Sequence, residues 1–113
     1  MNENNSYYTN DCRLKLIQKL IGSKWKISIL WYLREKPRRF GELNRLLSNT
    51  ARGVLTQQLK QLEADKLVHR EVYNETPPKV VYSLTEAGNR FSSVLDSMTE
   101  WINYYIDNKN NFN

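Results

Sequence analysis

The feature that most constrains this chain is a change of hydrophobic period. From Leu14 to Leu62 the apolar residues recur three or four apart. From Leu67 to Leu84 the chain turns to short Val- and Tyr-rich runs with Arg70 among them, and from Phe91 to Ile106 the helical spacing returns. Three- and four-residue spacing lines one face of a helix, whereas β-branched and aromatic runs bounded by turn residues mark strands. The order must therefore be helices, a hairpin, then a helix. At 113 residues this is one domain, long enough to bury a core without disulfides. No run approaches the roughly 20 apolar residues of a membrane span. With a single cysteine and no secretory signal, the expected setting is the reducing cytoplasm, with no membrane partner.

Leu14, Ile17 and Ile21, with Leu16 and Leu20, predict a first helix capped by Asn10 or Asp11. Gly22-Ser23 ends it, and Ser23 can cap a second helix built on Trp25, Ile29 and Leu33. That helix also carries Ile27, Leu30 and Trp31, so it is apolar over much of its girth and belongs at the centre. Pro37 stops it. Phe40, Leu43, Leu46 and Leu47 predict a short third helix, and Ser48-Asn49-Thr50 a turn with capping chemistry. Leu55, Leu59 and Leu62 mark the buried stripe of a fourth, ending near Asp65. Leu67–Tyr73 and Lys79–Leu84 predict a β-hairpin whose long turn holds Pro77 and Pro78, where no ladder donor is needed. Thr85 caps a last helix with an unbroken stripe of Phe91, Val94, Leu95, Met98, Trp101, Ile102, Tyr105 and Ile106. Residues 1–10 and 108–113 are Asn-rich and read as flexible tails around a domain at 11–107. The fold class is mainly α with a small β-hairpin wing, a winged helix-turn-helix.

The formal net charge of +5 conceals an uneven distribution. Arg13–Lys60 carries 12 basic residues against Glu35 and Glu42, a net of +10, while everything from Leu67 onward nets −2. A basic half beside a mildly acidic half suits a polyanion-binding surface with a separate assembly surface. With Leu55, Leu59 and Leu62 inward, the opposite face of the fourth helix holds Arg52, Gly53, Thr56, Gln57, Lys60 and Gln61. Arg and Lys donate to guanine or phosphate, Gln pairs with adenine, and Thr meets a thymine methyl. Gly53 allows close approach to a ligand's backbone, and Thr50 with the free amides of the helix start is an anion site. An ordinary solvated face is the plain alternative, though Glu–Lys pairs are more usual there. Arg38 and Arg39, before the third helix, are placed for phosphate contacts. Arg70 and Lys79 are expected near the open end of the hairpin, with Asn74 and Thr76 at its tip and Glu71 and Glu75 limiting contacts there.

Four segments in order resemble the HxlR-type winged helix-turn-helix transcription regulators, relatives of the MarR group. They are Gly22-Ser-Lys-Trp-Lys26, Pro37-Arg-Arg-Phe-Gly-Glu-Leu43, Leu55-Thr-Gln-Gln-Leu-Lys-Gln-Leu-Glu-Ala-Asp65 and the hairpin from His69 to Thr85. The resemblance runs from Cys12 to about Trp101. It implies a homodimer on double-stranded operator DNA, with repression as the default action. Arg52, Thr56, Gln57 and Lys60 would be the readers; Arg38, Arg39, Arg70 and Lys79 would hold the backbone. Where the family has Asp-Gly after the fourth helix this chain has Asp65-Lys66, so either Lys66 is strained or the turn differs. A winged-helix protein-interaction module without specific DNA binding is the alternative.

Cys12 begins the first helix beside Arg13 and Lys15, a setting that favours thiolate, against which Asp11 acts. Family members with a cysteine here include sensors of oxidants or electrophiles, so Cys12 is a candidate redox sensor; a small apolar filler is the alternative. The last helix carries more apolar surface than a small core covers. Trp101, Tyr104 and Tyr105, with Leu14 and Ile17 of the first helix, are the expected dimer interface, and about 85–107 the dimerisation segment. Trp31, Tyr32, Trp101 and Tyr105 could also line an effector pocket. One His and one Cys cannot make a structural zinc site, and neither a Gly-rich phosphate loop nor a spaced Ser, His and Asp grouping occurs. No catalytic residue, metal or cofactor is expected.

Overall fold

The structure, a computed structural model, describes residues 9–48 and 51–112. In chain order it contains α1 (Asn10–Ile21), α2 (Lys26–Glu35), β1 (Arg38–Arg39), α3 (Phe40–Leu46), α4 (Arg52–Ala64), β2 (Val68–Tyr73), β3 (Lys79–Leu84), α5 (Glu86–Arg90) and α6 (Ser92–Asn108). The strands form one antiparallel sheet in the order β1-β3-β2. This is the winged helix-turn-helix that the order of periods predicts.

The core gathers around α2, whose Ile29 and Leu30 are fully enclosed. Leu43 and Leu47 pack on it from the α3 region, Leu55, Leu59 and Leu62 from α4, Val68 and Tyr82 from the sheet, and Leu95 from α6. The α4 stripe is thus the one its spacing predicts. Short polar side chains cap α1 and α5, through Thr9 and Thr85, whereas the residue before α2 is Trp25, with Ser23 two positions further back in the turn. Ser23 Oγ accepts the Lys26 N–H at 3.3 Å. The cap of α1 is neither Asn10 nor Asp11 but Thr9, whose hydroxyl accepts the Cys12 N–H at 3.2 Å. Asp11 instead pairs with Lys15, one turn on, at 3.2 Å.

Three features depart from the expected outline. First, Arg38–Arg39 forms a third strand, pairing Arg38 with Tyr82 and Arg39 with Val81; two residues are too few to show a period. Second, the last helix is broken. Phe91 N–H bonds to Gly88 O at 3.1 Å, three residues back, and so tightens the chain between α5 and α6. At the other end of α5 the Thr85 hydroxyl accepts the Gly88 N–H at 3.1 Å and donates to Lys66 O at 2.7 Å, tying α5 to the end of α4. Gly88 lies so close to that turn that a Cβ would meet Leu67 O at 2.2 Å. Third, beyond α6 the chain makes a 3-10 turn at Lys109–Asn111, and the Phe112 ring lies 5.9 Å from Tyr104 and 5.6 Å from Tyr105.

The end of α4 resolves the question posed by Asp65-Lys66. Lys66 N–H bonds to Glu63 O and Leu67 N–H to Leu62 O, both at 3.0 Å. This double closure requires a left-handed residue, and Lys66 supplies it with φ 64°. The turn is the one glycine would make, with lysine held in it.

Candidate nucleic-acid interface

Burying Leu55, Leu59 and Leu62 turns the other side of α4 outward, and Arg52, Gly53, Thr56, Gln57 and Lys60 are all exposed. Two neighbours leave this face. Gln58 bonds with Ser23 Oγ across to the α1–α2 turn, and Gln61 is half-buried beside Lys19 and Lys26. Arg52 lies with its guanidinium carbon 4.7 Å from the centre of the Phe40 ring, which steers it toward the start of α3. Gly53 has open space where a Cβ would stand, with nothing inside 4 Å, so packing within the chain does not require glycine there. Thr50 lies outside the described residues.

The two arginines before α3 part company. Alternation along β1 sends Arg38 inward and Arg39 outward. Arg38 is only 8% exposed; its guanidinium pairs with Glu35, and Nε donates to Tyr32 O at 3.3 Å. The expectation that Arg38 holds phosphate is therefore corrected: its side chain is buried, its donors are engaged by Glu35 and the Tyr32 carbonyl, and it braces β1 on α2. Arg39 is free to meet a ligand. Its own N–H is donated to Glu42 at 3.0 Å, which closes the first turn of α3. That hydrogen bond holds the Glu42 carboxyl below its ordinary pKa, aided by the charges of Lys36, Arg38 and Arg45.

The β2 edge of the wing is open, with every β2 residue after Val68 exposed, while β3 is half-buried against the body. The register opposes Val68 to Leu84 at the base, Arg70 to Tyr82 partway out, and Tyr73 to Lys79 at the closed end. Arg70 is thus near the base as expected, whereas Lys79 is at the far end, half-buried, with its ammonium 5.2 Å from the Tyr73 ring centre. His69 is exposed, 3.8 Å from Glu71. Between α4 and the wing runs a cleft of about 330 Å³ lined by Thr56, Lys60, Glu63, Arg70 and Tyr82. The sequence reading missed Tyr82 and stopped at Glu63; only the cross-strand register, which opposes Tyr82 to Arg70, brings both to this cleft.

The other expected residues lie away from this surface. Cys12 is half-buried on the first turn of α1. Leu14 and Trp101 are 61% and 60% exposed, and Ile17, Tyr104 and Tyr105 are exposed as well. A cavity of about 450 Å³ opens between α2 and α6, walled by Trp31, Tyr32, Met98, Trp101 and Ile102 among others. Tyr105 is not part of that wall; it stacks on Trp101 with ring centres 5.5 Å apart. Among the described residues no cluster of three or more His, Cys, Asp or Glu is placed to hold a metal, and no helix is long and apolar enough to cross a membrane.

Comparison with known proteins agrees with this arrangement. The model of the HxlR-like helix-turn-helix family matches residues 20–110. The HTH-type transcriptional regulator YkvN of Bacillus subtilis (strain 168) is 40% identical over 96 residues, 85% of this chain and 81% of its own. Among solved structures, the redox regulator HypR in its reduced form superposes with a TM-score of 0.82 at 37% identity, covering 88% of this chain and 99% of HypR. Its oxidized form gives 0.76 at 41%, covering 80% and 93%. A transcriptional regulator of the MarR family from Enterococcus faecalis V583 gives 0.81 at 36%, covering 92% and 94%. These relatives are regulators rather than enzymes. The chain belongs to the HxlR-like helix-turn-helix family of transcriptional regulators.

Proposed function

We propose that this protein binds double-stranded operator DNA sequence-specifically as a homodimer and represses transcription there. The observation that carries the reading is the exposed face of α4, where Arg52, Gly53, Thr56, Gln57 and Lys60 form one surface rich in donors. In the major groove that face offers hydrogen bonds to base edges, while Arg39 and Arg70 reach phosphate from either side and Lys79 extends the contact along the wing. By its place in the sequence, Thr50 is assigned to the same set. The exposed apolar rows of α1 and α6, including Leu14, Ile17, Trp101, Tyr104 and Tyr105, supply the surface for a second copy. Twofold symmetry then requires a pseudo-palindrome with half-sites about 10 bp apart.

Selection of bound sequences from random duplexes tests this reading. Enrichment of one palindromic sequence, with affinity falling steeply as salt rises, is the expected result; recovery of unenriched DNA rejects it. Likeness to HypR, named a redox regulator, supports a second element, that Cys12 tunes operator release in response to oxidants or electrophiles. As the chain has one cysteine, its modified forms are a Cys12–Cys12 disulfide between subunits or a mixed disulfide with a small thiol, both made by an oxidant such as diamide, or a thioether made by direct alkylation with an electrophile. Diamide or quinone treatment is expected to change operator affinity in the wild type and not in Cys12→Ser. Unchanged wild-type affinity rejects the sensor.

A further inference from the structure

Thr56, Lys60 and Glu63 follow one another at four and three residues, so they form a single stripe of α4, and it is this stripe that faces the wing. On the sheet side, Arg38, Tyr82 and Arg70 occupy one rung across all three strands and share a face. The Arg38 end of that rung is buried and paired with Glu35, while the Arg70 end is open to solvent. Tyr82 stands between them, 9% exposed, and reaches the cleft. The cleft therefore holds a guanidinium, an ammonium and two hydroxyls, with Glu63 as its one acid. Among the described residues neither Lys60 nor Arg70 has an ion-pair partner.

A helix in a major groove and a hairpin over the neighbouring minor groove are separated by one sugar–phosphate strand. That strand must pass between α4 and β2. We propose that the cleft is its seat: one phosphodiester is held by Arg70, Lys60 and the Tyr82 hydroxyl, while Glu63 repels further backbone and keeps general DNA affinity low. The inference rests on the operator-binding reading above and deepens it, by moving Lys60 from base reading to the backbone and by adding Tyr82 and Glu63 to the interface.

The test measures binding of the full-length protein to its selected operator and to a scrambled duplex, across a salt series. Tyr82→Phe removes one neutral donor from a charged acceptor. It is expected to weaken both complexes about tenfold without changing the salt slope. Arg70→Gln is expected to lower the slope by about 1, and Glu63→Gln to tighten both complexes severalfold. On duplexes carrying a neutral methylphosphonate at one position at a time, one position is expected to weaken the wild type while costing Arg70→Gln little. Thermal melts establish that the variants fold. Glu63 is exposed, so Glu63→Gln keeps the test open should Tyr82→Phe unfold. Wild-type affinity for both Tyr82→Phe and Glu63→Gln, with Gln57→Ala still weaker on the operator alone, overturns the seat and leaves the operator reading standing. Failure of any sequence to be enriched overturns both.

Discussion

At the scale of single residues, chemistry settles roles that residue type alone leaves open. Arg38 and Arg39 are adjacent and identical, yet one is a buried brace and the other a free cation, because alternation in a strand sends them to opposite faces. No pattern in a two-residue strand announces that split, so it was not legible in the sequence. Lys66 was legible: the departure from glycine at a helix end marked the position, and the chain does adopt φ 64° there. A left-handed lysine is strained in a way glycine is not. Lys66→Gly is therefore expected to raise the unfolding free energy by about 0.5–1 kcal/mol in urea denaturation, with operator affinity unchanged. Glu42 gives a pH-dependent prediction. Its folded pKa is depressed by the Arg39 N–H and nearby cations, so its contribution is complete above the ordinary carboxylate pKa and is lost as pH falls through the lowered folded value. The stability gap between wild type and Glu42→Gln is expected to close over that acidic range. A gap that stays constant with pH contradicts this role for the carboxylate.

At the scale of elements, long periodic segments were readable and their joints were not. The stripes of α2 and α4 and both hairpin strands follow directly from spacing. The break at Phe91 does not, because apolar positions stay in helical phase across it and only the shortened Phe91 N–H to Gly88 O bond reveals it. Lys79 stands at the closed end of the hairpin, opposite Tyr73, because it is the first strand residue after the turn; the strand bounds themselves imply this place, and the expectation of an open-end position overlooked it. Within α4, Gly53 separates local stability from function. Glycine weakens a helix, and no neighbour within 4 Å requires it. Gly53→Ala is expected to stabilise the protein by up to about 1 kcal/mol in thermal melts while weakening operator binding, since the added methyl stands where the helix start meets DNA. A stabilised variant with undiminished operator affinity removes Gly53 from the interface.

At the scale of the whole molecule, charge and apolar surface divide the work. The basic stretch from Arg13 to Lys60, net +10, contains α3 and most of α4, while the acidic remainder, net −5, contains the wing and α6. The sequence could show a surplus of apolar residues on the last helix; the fold shows that Trp101, Ile102, Tyr104 and Ile106 remain exposed after the core is complete. Such a row is the surface expected of an interface. Ile106→Glu is expected to halve the mass seen in sedimentation equilibrium, keep the helical signal and weaken operator binding. A wild type that sediments as a monomer at micromolar concentration contradicts the dimer. The central claim is that the outward face of α4 reads sequence, and Gln57 tests it most directly because it carries no charge to attract phosphate. Affinity of Gln57→Ala should be measured at one salt concentration on the selected operator and on a scrambled duplex of equal length. A loss of about 1–3 kcal/mol on the operator and almost none on the scrambled duplex is expected if Gln57 reads a base; equal losses on both, or none on either, contradict that role.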